Sequence, residues 1–278
     1  MLIGRHTSAS PSPAMMNAGF EALSIKAEYR QMDIKEESLE SRVLALKAMG
    51  VNGMNITAPY KCRIVDMLDD LEGVAVDIRA VNTVKRAGRK LIGYNTDIDG
   101  VLGPLREGCP RLAPRSAIVL GAGGAARAFV AAMHDMKCQK VLVLVREPSR
   151  TTRFFNDMTG AFPDLDFLLG GLNQSLTDAI GRADILFNAT PLVNFSPRVP
   201  ISIADALSRK PVVFDAVYNP IETGLIAEAR ANQCKVIHGY QMLVAQGAAS
   251  FEIWTGKKAP VELMRHAVLN FLRGGCRT

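Results

Sequence analysis

Two short stretches combine residue types and spacings that point to nucleotide chemistry. Gly121-Ala122-Gly123-Gly124-Ala125-Ala126 has the spacing G-x-G-x-x-A and follows directly on the apolar run Ser116 to Leu120. In such a turn the first glycine permits the tight bend and the second lets the backbone approach a pyrophosphate. The small third residue lets the next helix pack on the sheet, with its N-terminal N–H groups facing the phosphates. The spacing in this context predicts dinucleotide binding. At the end of the next apolar run, Lys140 to Val145, stand Arg146, Ser149 and Arg150. Guanidinium groups make charge-assisted, often bidentate bonds to phosphate, so this segment favours the 2′-phosphate of NADP. Glu147 lies between them, and a shift of one residue would aim it at a ribose hydroxyl, which keeps NAD open.

A second constellation lies nearer the N-terminus. Asn55-Ile-Thr57-Ala-Pro59-Tyr-Lys61 sets a lysine just beyond two polar residues at the end of a strand-like stretch. Side chains alternate across a sheet, so Met54 and Ile56 share one face while Asn55 and Thr57 share the other. Lys61 is expected near the first turn of a helix striped by Ile64, Met67, Leu68 and Leu71. A helix N-terminus disfavours an ammonium, a setting that suits a lysine passing protons near neutral pH. Asn82 and Asn95-Thr96-Asp97 fall on the two arms of a predicted hairpin, Ala80–Val84 and Leu91–Asn95, whose turn contains Gly88. These polar groups are placed to converge.

The elements that must position them alternate between helical and strand periodicity, which predicts an α/β fold. Ser12 as N-cap and Pro13 at the first helical position open a helix with Met16, Phe20 and Leu23 on one face. Val43, Leu46 and Met49 mark a second helix, ended by Gly50. The stretch Val101 to Arg115, with Gly103, Pro104, Gly108, Pro110 and Pro114, reads as a boundary. Beyond it the apolar runs at Ser116–Leu120, Lys140–Val145, Ile185–Asn188, Val212–Phe214 and Lys235–Ile237 suit a parallel sheet buried on both faces, a doubly wound domain. Pro260 opens a last helix carrying Val261, Met264, Val268 and Leu272, expected to return to the first domain. The domains expected are 1–99, 100–238 and a returning segment 239–278.

The chain has 278 residues, 48% of them apolar and 22% charged, within the range of ordinary globular proteins and long enough for two domains. The 33 basic and 27 acidic residues give a formal charge of +6. The excess is scattered, as at Lys85–Lys90 and Arg273–Arg277, without the basic helix of a nucleic-acid binder. The cysteines 62, 109, 138, 234 and 276 form no CxxC pair, which argues against a metal site and for a reducing compartment. No apolar run approaches the ~18 residues of a membrane span, so a cytoplasmic protein is expected.

Taken together in order, the motifs resemble the shikimate dehydrogenase family. Ser10-Pro-Ser12-Pro-Ala-Met-Met-Asn17 is similar to its serine loop, 55–61 (NITAPYK) to its lysine motif, and 80–83 (AVNT) and 94–97 (YNTD) to its asparagine and aspartate motifs. Residues 121–128 and 146–150 resemble its cofactor loop and NADP-selecting arginines. Residues 188–190 (NAT), 215–223 (DAVYNPIET) and 239–256 close the series.

The resemblance implies an N-terminal substrate domain, a Rossmann-type NADP domain, and reversible reduction of 3-dehydroshikimate to shikimate in aromatic amino-acid biosynthesis. It further implies Lys61 as general acid/base with Asp97 beside it, and Ser10 and Ser12 on the substrate carboxylate. Thr57, Asn82, Tyr218 and Gln246 would contact the other substrate groups. Thr190, Ala216 and Gly239 would lie along the cofactor. Departures from the family pattern are Ala9 and Met16 where histidines are frequent, Val145 and Glu147 around the first selecting arginine, and Pro191-Leu-Val193 without a glycine. The alternatives are a quinate or aminoshikimate paralogue, with NAD as a candidate cofactor, and a non-catalytic NADP-binding regulator. No metal, nucleic acid or membrane partner is expected; the assembly open to it is a homodimer.

Overall fold

The chain builds two six-stranded sheets; the second consists mostly of unbroken aliphatic and β-branched runs buried on both faces, whereas the first mixes apolar and polar residues along its strands. The computed structural model describes residues 1–172, 183–192 and 207–274; Val193, Cys276 and Arg277 lie outside them. The described residues divide into two units, Met1–Gly100 with Leu243–Thr278, and Val101–Met242.

The first unit carries β1 (Leu2–Gly4), β2 (Gln31–Asp33), β3 (Gly53–Ile56), β4 (Asp70–Leu71), β5 (Thr83–Ala87) and β6 (Lys90–Tyr94), in the order β2-β1-β3-β5-β6-β4. β1 runs parallel to both neighbours, whereas β3, β5 and β6 are antiparallel. The hairpin is present, tighter than expected: its turn is Gly88-Arg89, with Gly88 at φ 62°, and residues 80–82 lie outside the strand. The inward face of β3 supplies Met54 and Ile56 to a core with Ile3, Val43, Leu46, Tyr60, Ile64 and Val84.

Helix α1 spans Ser12–Ala22 and α2 Leu39–Ala48. Ser12 is the first helical residue rather than the N-cap: Pro11 holds that place, and the Ser12 N–H turns to Ser10 Oγ at 3.3 Å. In α2 the buried stripe is Leu39, Val43 and Leu46; Met49 is 77% exposed, because the helix ends before it. After Lys61 a single 3₁₀ turn, Ile64–Met67, replaces the expected helix. Leu68 leaves it extended so that Leu71 can enter β4 beside β6. A further short helix, α3, covers Val74–Ile78.

The division between the two units falls at Gly100/Val101, the start of the 101–115 stretch, and the first half of that stretch is helical rather than loop. Helix α4, Asp97–Gly108, runs through Gly103 and Pro104. Proline inside a helix costs about 3 kcal/mol, which burial of Val101, Leu102 and Leu105 on one face offsets at ~1.5–3 kcal/mol per side chain.

The second unit is a doubly wound sheet. β7 (Ser116–Leu120), β8 (Lys140–Val145), β9 (Asp166–Gly171), β10 (Ile185–Asn188), β11 (Val212–Asp215) and β12 (Val236–Ile237) are all parallel, in the order β12-β11-β10-β7-β8-β9. This is the dinucleotide-binding order, with the reversal between β7 and β10. Helices α5 (Gly124–Asp135), α6 (Thr152–Ala161) and α7 (Gly224–Ala231) follow β7, β8 and β11. Phe129 stacks on Phe187 at 4.5 Å, and Phe187 meets Phe214 edge-on at 5.1 Å.

The chain then enters α8 (Gly239–Thr255) and α9 (Val261–Gly274). In the first unit α9 packs its Met264, Val268 and Leu272 stripe against α1. Phe251 of α8 is wholly buried and lies 5.3 Å from Phe20 of α1, ring to ring. Phe251→Ala is expected to destabilise this unit by ~3–5 kcal/mol, read as an earlier denaturant midpoint in the fluorescence of Trp254, the single tryptophan.

Candidate active site

In the first unit the polar face of the sheet gathers the predicted residues. Lys61 sits in a turn fixed at both sides: Tyr60 N–H donates to Thr57 O at 3.0 Å, and Lys61 O accepts Val81 N–H at 2.8 Å. Its Nζ lies 2.6 Å from Asp97 Oδ2, with the two side chains 17% and 4% exposed. Such a largely desolvated ion pair is costly unless its remaining bonding capacity is filled. Asp97 fills it locally: Oδ1 accepts Asn82 Nδ2 at 2.9 Å, and its backbone N–H donates to Asn95 Oδ1 at 3.0 Å as α4 begins. The setting of the ammonium is therefore the Asp97 carboxylate rather than the first turn of the helix expected after Lys61, where only a 3₁₀ turn follows.

Asn82 is the junction. Its Oδ1 accepts the Thr96 N–H at 2.7 Å, which fixes the amide orientation, and its Nδ2 also reaches Thr96 Oγ1 at 3.0 Å and Gln246 Oε1 at 3.2 Å. Thus Lys61, Asp97, Asn82 and Gln246 form one hydrogen-bonded set. Thr57 projects beyond β3 and packs against Gly4, where a Cβ would collide with its methyl. Ser10 and Ser12 are buried and bonded to each other, Oγ to Oγ at 3.1 Å, where α1 begins. No direct bond joins them to the lysine set.

Several buried groups in this network went unread in the sequence. Tyr29 OH donates to Asn55 Oδ1 at 2.7 Å, and Asn55 Nδ2 reaches Thr83 Oγ1 and Ser250 Oγ, each at 3.1 Å. Burial pushes the Tyr29 phenol well above its ordinary range. Alternation puts Asn55 on the polar face of β3 and is the available signal there; Ser250 lies one turn beyond Gln246 on α8, a spacing that carries no role by itself.

The second unit has the features of a phosphate-binding turn. Gly121 adopts φ 99° and its N–H donates to Leu144 O at 2.8 Å. A side chain there would be strained and would press on Thr190, whose methyl lies 3.1 Å from the place of a Cβ. Thr190 is thus beside the turn. Ala122, Gly124 and Ala125 are half-buried, Ala126 is fully buried against the sheet, and Gly123 is exposed with open space where a Cβ would stand. An exposed glycine before the first N–H groups of α5 fits a pyrophosphate.

Beneath it, the buried Arg127 guanidinium lies 2.7 Å from Asp157 and 5.3 Å from the centre of the Phe154 ring, both on α6. Arg146, Ser149 and Arg150 are all exposed. Glu147 Oε2 lies 2.7 Å from Arg150 Nε, so the carboxylate that complicated the reading engages one of the two arginines.

A second buried network supports the far side of this sheet. Asp215 accepts Asn188 Nδ2 at 2.8 Å, Thr223 Oγ1 at 2.6 Å and Val217 N–H at 3.0 Å. Burial raises its carboxyl above the usual range, against the opposing pull of Thr223, Val217 and Asn188. Asn188 Oδ1 in turn accepts the Thr190 N–H and hydroxyl at 3.0 and 2.7 Å. Gly239 begins α8 so close to the Ala216 and Val217 carbonyls that no Cβ fits. Tyr218 is half-buried in the same loop. Ala216, Gly239 and Thr190 therefore all border the C-terminal ends of β10 and β11.

Among the described residues no cluster of histidine, cysteine and carboxylates could hold a metal ion, and no helix is long and apolar enough to cross a membrane.

Comparison with known proteins gives a consistent picture. Residues 2–84 match the shikimate dehydrogenase substrate binding domain, and residues 239–269 the shikimate 5′-dehydrogenase C-terminal domain. A shikimate dehydrogenase (NADP(+)) of Symbiobacterium thermophilum is 36% identical, the alignment covering 98% of this chain and 94% of the relative. The crystal structure of shikimate 5-dehydrogenase from Thermus thermophilus in complex with NADP(H) and shikimate is 31% identical with a TM-score of 0.84, covering 98% of both chains. That of quinate dehydrogenase from Corynebacterium glutamicum in complex with NAD is 31% identical with a TM-score of 0.85, covering 97% of both chains.

Proposed function

The chain belongs to the shikimate dehydrogenase family, and from that premise we propose that it catalyses the reversible, NADP-dependent reduction of 3-dehydroshikimate to shikimate. The observation that carries the reading is the desolvated pair Lys61–Asp97, 2.6 Å apart, within one network with Asn82 and Gln246. As the substrate carbonyl is reduced, negative charge grows on its oxygen. Lys61 neutralises that charge and donates the proton, while Asp97 keeps the ammonium in place and the Asn82 N–H fixes the carboxylate. In the reverse direction Lys61 accepts the proton from the hydroxyl. Bound NADPH supplies the hydride.

Gly121, Ala122, Gly123, Gly124 and Ala125 would hold the pyrophosphate, Arg146, Ser149 and Arg150 the 2′-phosphate, and Thr190, Ala216 and Gly239 the nicotinamide end. Ser10 and Ser12 take the substrate carboxylate, and Thr57, Asn82, Tyr218 and Gln246 the remaining groups. Residues 1–99 with the segment 239–278 constitute the substrate part and 100–238 the cofactor part. The isolated thiols of Cys62, Cys109, Cys138 and Cys234 support a reducing, cytoplasmic setting. The assembly proposed is a homodimer.

The second reading is a quinate or aminoshikimate dehydrogenase, with NAD as its candidate coenzyme; the use of NAD is favoured by Glu147, which engages Arg150 and competes with a phosphate for it. Steady-state assays of shikimate and quinate, each with NADP and NAD, decide between the two. The highest kcat/KM is expected for shikimate with NADP. A preference for quinate would replace the proposed substrate, and no activity with either would remove the dehydrogenase reading.

A further inference from the structure

Ser250 lies on α8, one turn beyond Gln246, and is fully buried in the first unit. Four polar atoms surround its hydroxyl: Gln246 O at 2.9 Å, Thr83 Oγ1 at 2.7 Å, Thr96 Oγ1 at 3.0 Å and Asn55 Nδ2 at 3.1 Å. A hydroxyl has one proton to give. The Gln246 carbonyl takes it as the ordinary back-bond of a serine within a helix. The two Ser250 lone pairs then accept from Thr83 and Thr96, and the two Asn55 Nδ2 protons go to Asn82 O and Thr83 Oγ1, each at 3.1 Å.

That assignment propagates. Thr83 and Thr96 can send their protons to Ser250, which leaves their lone pairs free and leaves Asn82 Oδ1 to the Thr96 N–H at 2.7 Å. Asn82 Nδ2 then gives one proton to Asp97 Oδ1 at 2.9 Å and shares the other between Thr96 Oγ1 and Gln246 Oε1, 3.0 and 3.2 Å away. With Oδ1 occupied, Asp97 presents Oδ2 to Lys61. Take the Ser250 hydroxyl away, and the threonine protons fall back on Asn82 Oδ1, which lies 3.1 Å from Thr83 Oγ1 and 3.2 Å from Thr96 Oγ1. Both then pull on the amide that orients Asp97.

We propose that Ser250 is a positioning residue for the reaction: as a buried acceptor it keeps the Thr83 and Thr96 hydroxyl protons off Asn82 Oδ1, so that the amide oriented by the Thr96 N–H stays in place for the Asp97 carboxylate that holds Lys61. The inference rests on the roles proposed above for Lys61 and Asp97. It adds a residue that touches neither substrate nor cofactor.

The test is steady-state shikimate oxidation by the wild-type protein, Ser250→Ala and Ser250→Cys, with Asn82→Ala and the double variant Asn82→Ala/Ser250→Ala alongside. Wild-type activity is measured first, so that failure of the proposed reaction is seen separately. The thiol of the cysteine variant fills the site but accepts hydrogen bonds poorly, so it separates bonding from packing and carries the test if the alanine variant does not fold. Both single Ser250 variants are expected to lose about tenfold in kcat, the equivalent of ~1.4 kcal/mol, with the KM for NADP unchanged. In the Asn82→Ala background removal of the hydroxyl is expected to cause no further loss. A cysteine variant with wild-type kcat would overturn the proposal, and so would a loss that persists in full in the Asn82→Ala background.

Discussion

Lys61→Ala is expected to lower kcat for shikimate oxidation by ~10²–10⁴-fold, the usual contribution of a positioned general acid or base. The KM for NADP should move little, because the residues assigned to the cofactor belong to other segments of the chain. Stability should fall, by about 1–3 kcal/mol, since the substitution breaks a largely desolvated ion pair. It leaves the Asp97 carboxylate without its cation, yet that group keeps the Asn82 amide and lies where α4 begins, a favourable place for negative charge. Full kinetic constants with thermal unfolding of the same preparation check both parts. A kcat within threefold of the wild type would exclude the acid/base role.

The second large effect is expected from Asp97→Asn, which preserves shape and removes charge. The new amide can still accept Asn82 Nδ2 through its oxygen, but its NH₂ then faces the Lys61 ammonium, donor against donor. Lys61 loses its anchor at 2.6 Å and is free to turn toward solvent. A fall of ~10²-fold in kcat is expected, with a larger rise in the KM for shikimate than for NADP. If Lys61 works alone, Asp97→Asn would leave kcat unaltered and the paired arrangement would have no catalytic meaning.

Much of this arrangement could be read from the residues themselves, and the parts that could not have identifiable causes. The second sheet was legible because parallel strands buried on both faces are nearly pure aliphatic runs; β9 escaped because Asp166-Phe-Leu-Leu-Gly-Gly mixes a charge and two glycines into its six residues. β1 and β2 escaped because three residues are too few to show a period. The helical form of α4 is hidden in the sequence because Gly103 and Pro104 are strong local signals, and only the burial of Val101 and Leu105 overrides them. In the site, the alternation around Asn55 revealed a polar face, and the order of motifs suggested Lys61, Asp97, Asn82 and Gln246. Thr83, Asp215 and Ser250 lie inside the motifs 80–83, 215–223 and 239–256 but carry no assigned role, because a small polar residue reveals its partners only once distant segments meet.

The strut formed by Arg127, Asp157 and Phe154 has an engineering consequence. It clamps the base of the glycine-turn helix to the helix that follows the exposed 146–150 segment, while leaving that segment's own side chains at the surface. On the role proposed for this segment, substitutions at 146, 147 and 150 are expected to change which adenosine ribose is accepted without loosening the helix pair beneath, which other residues anchor.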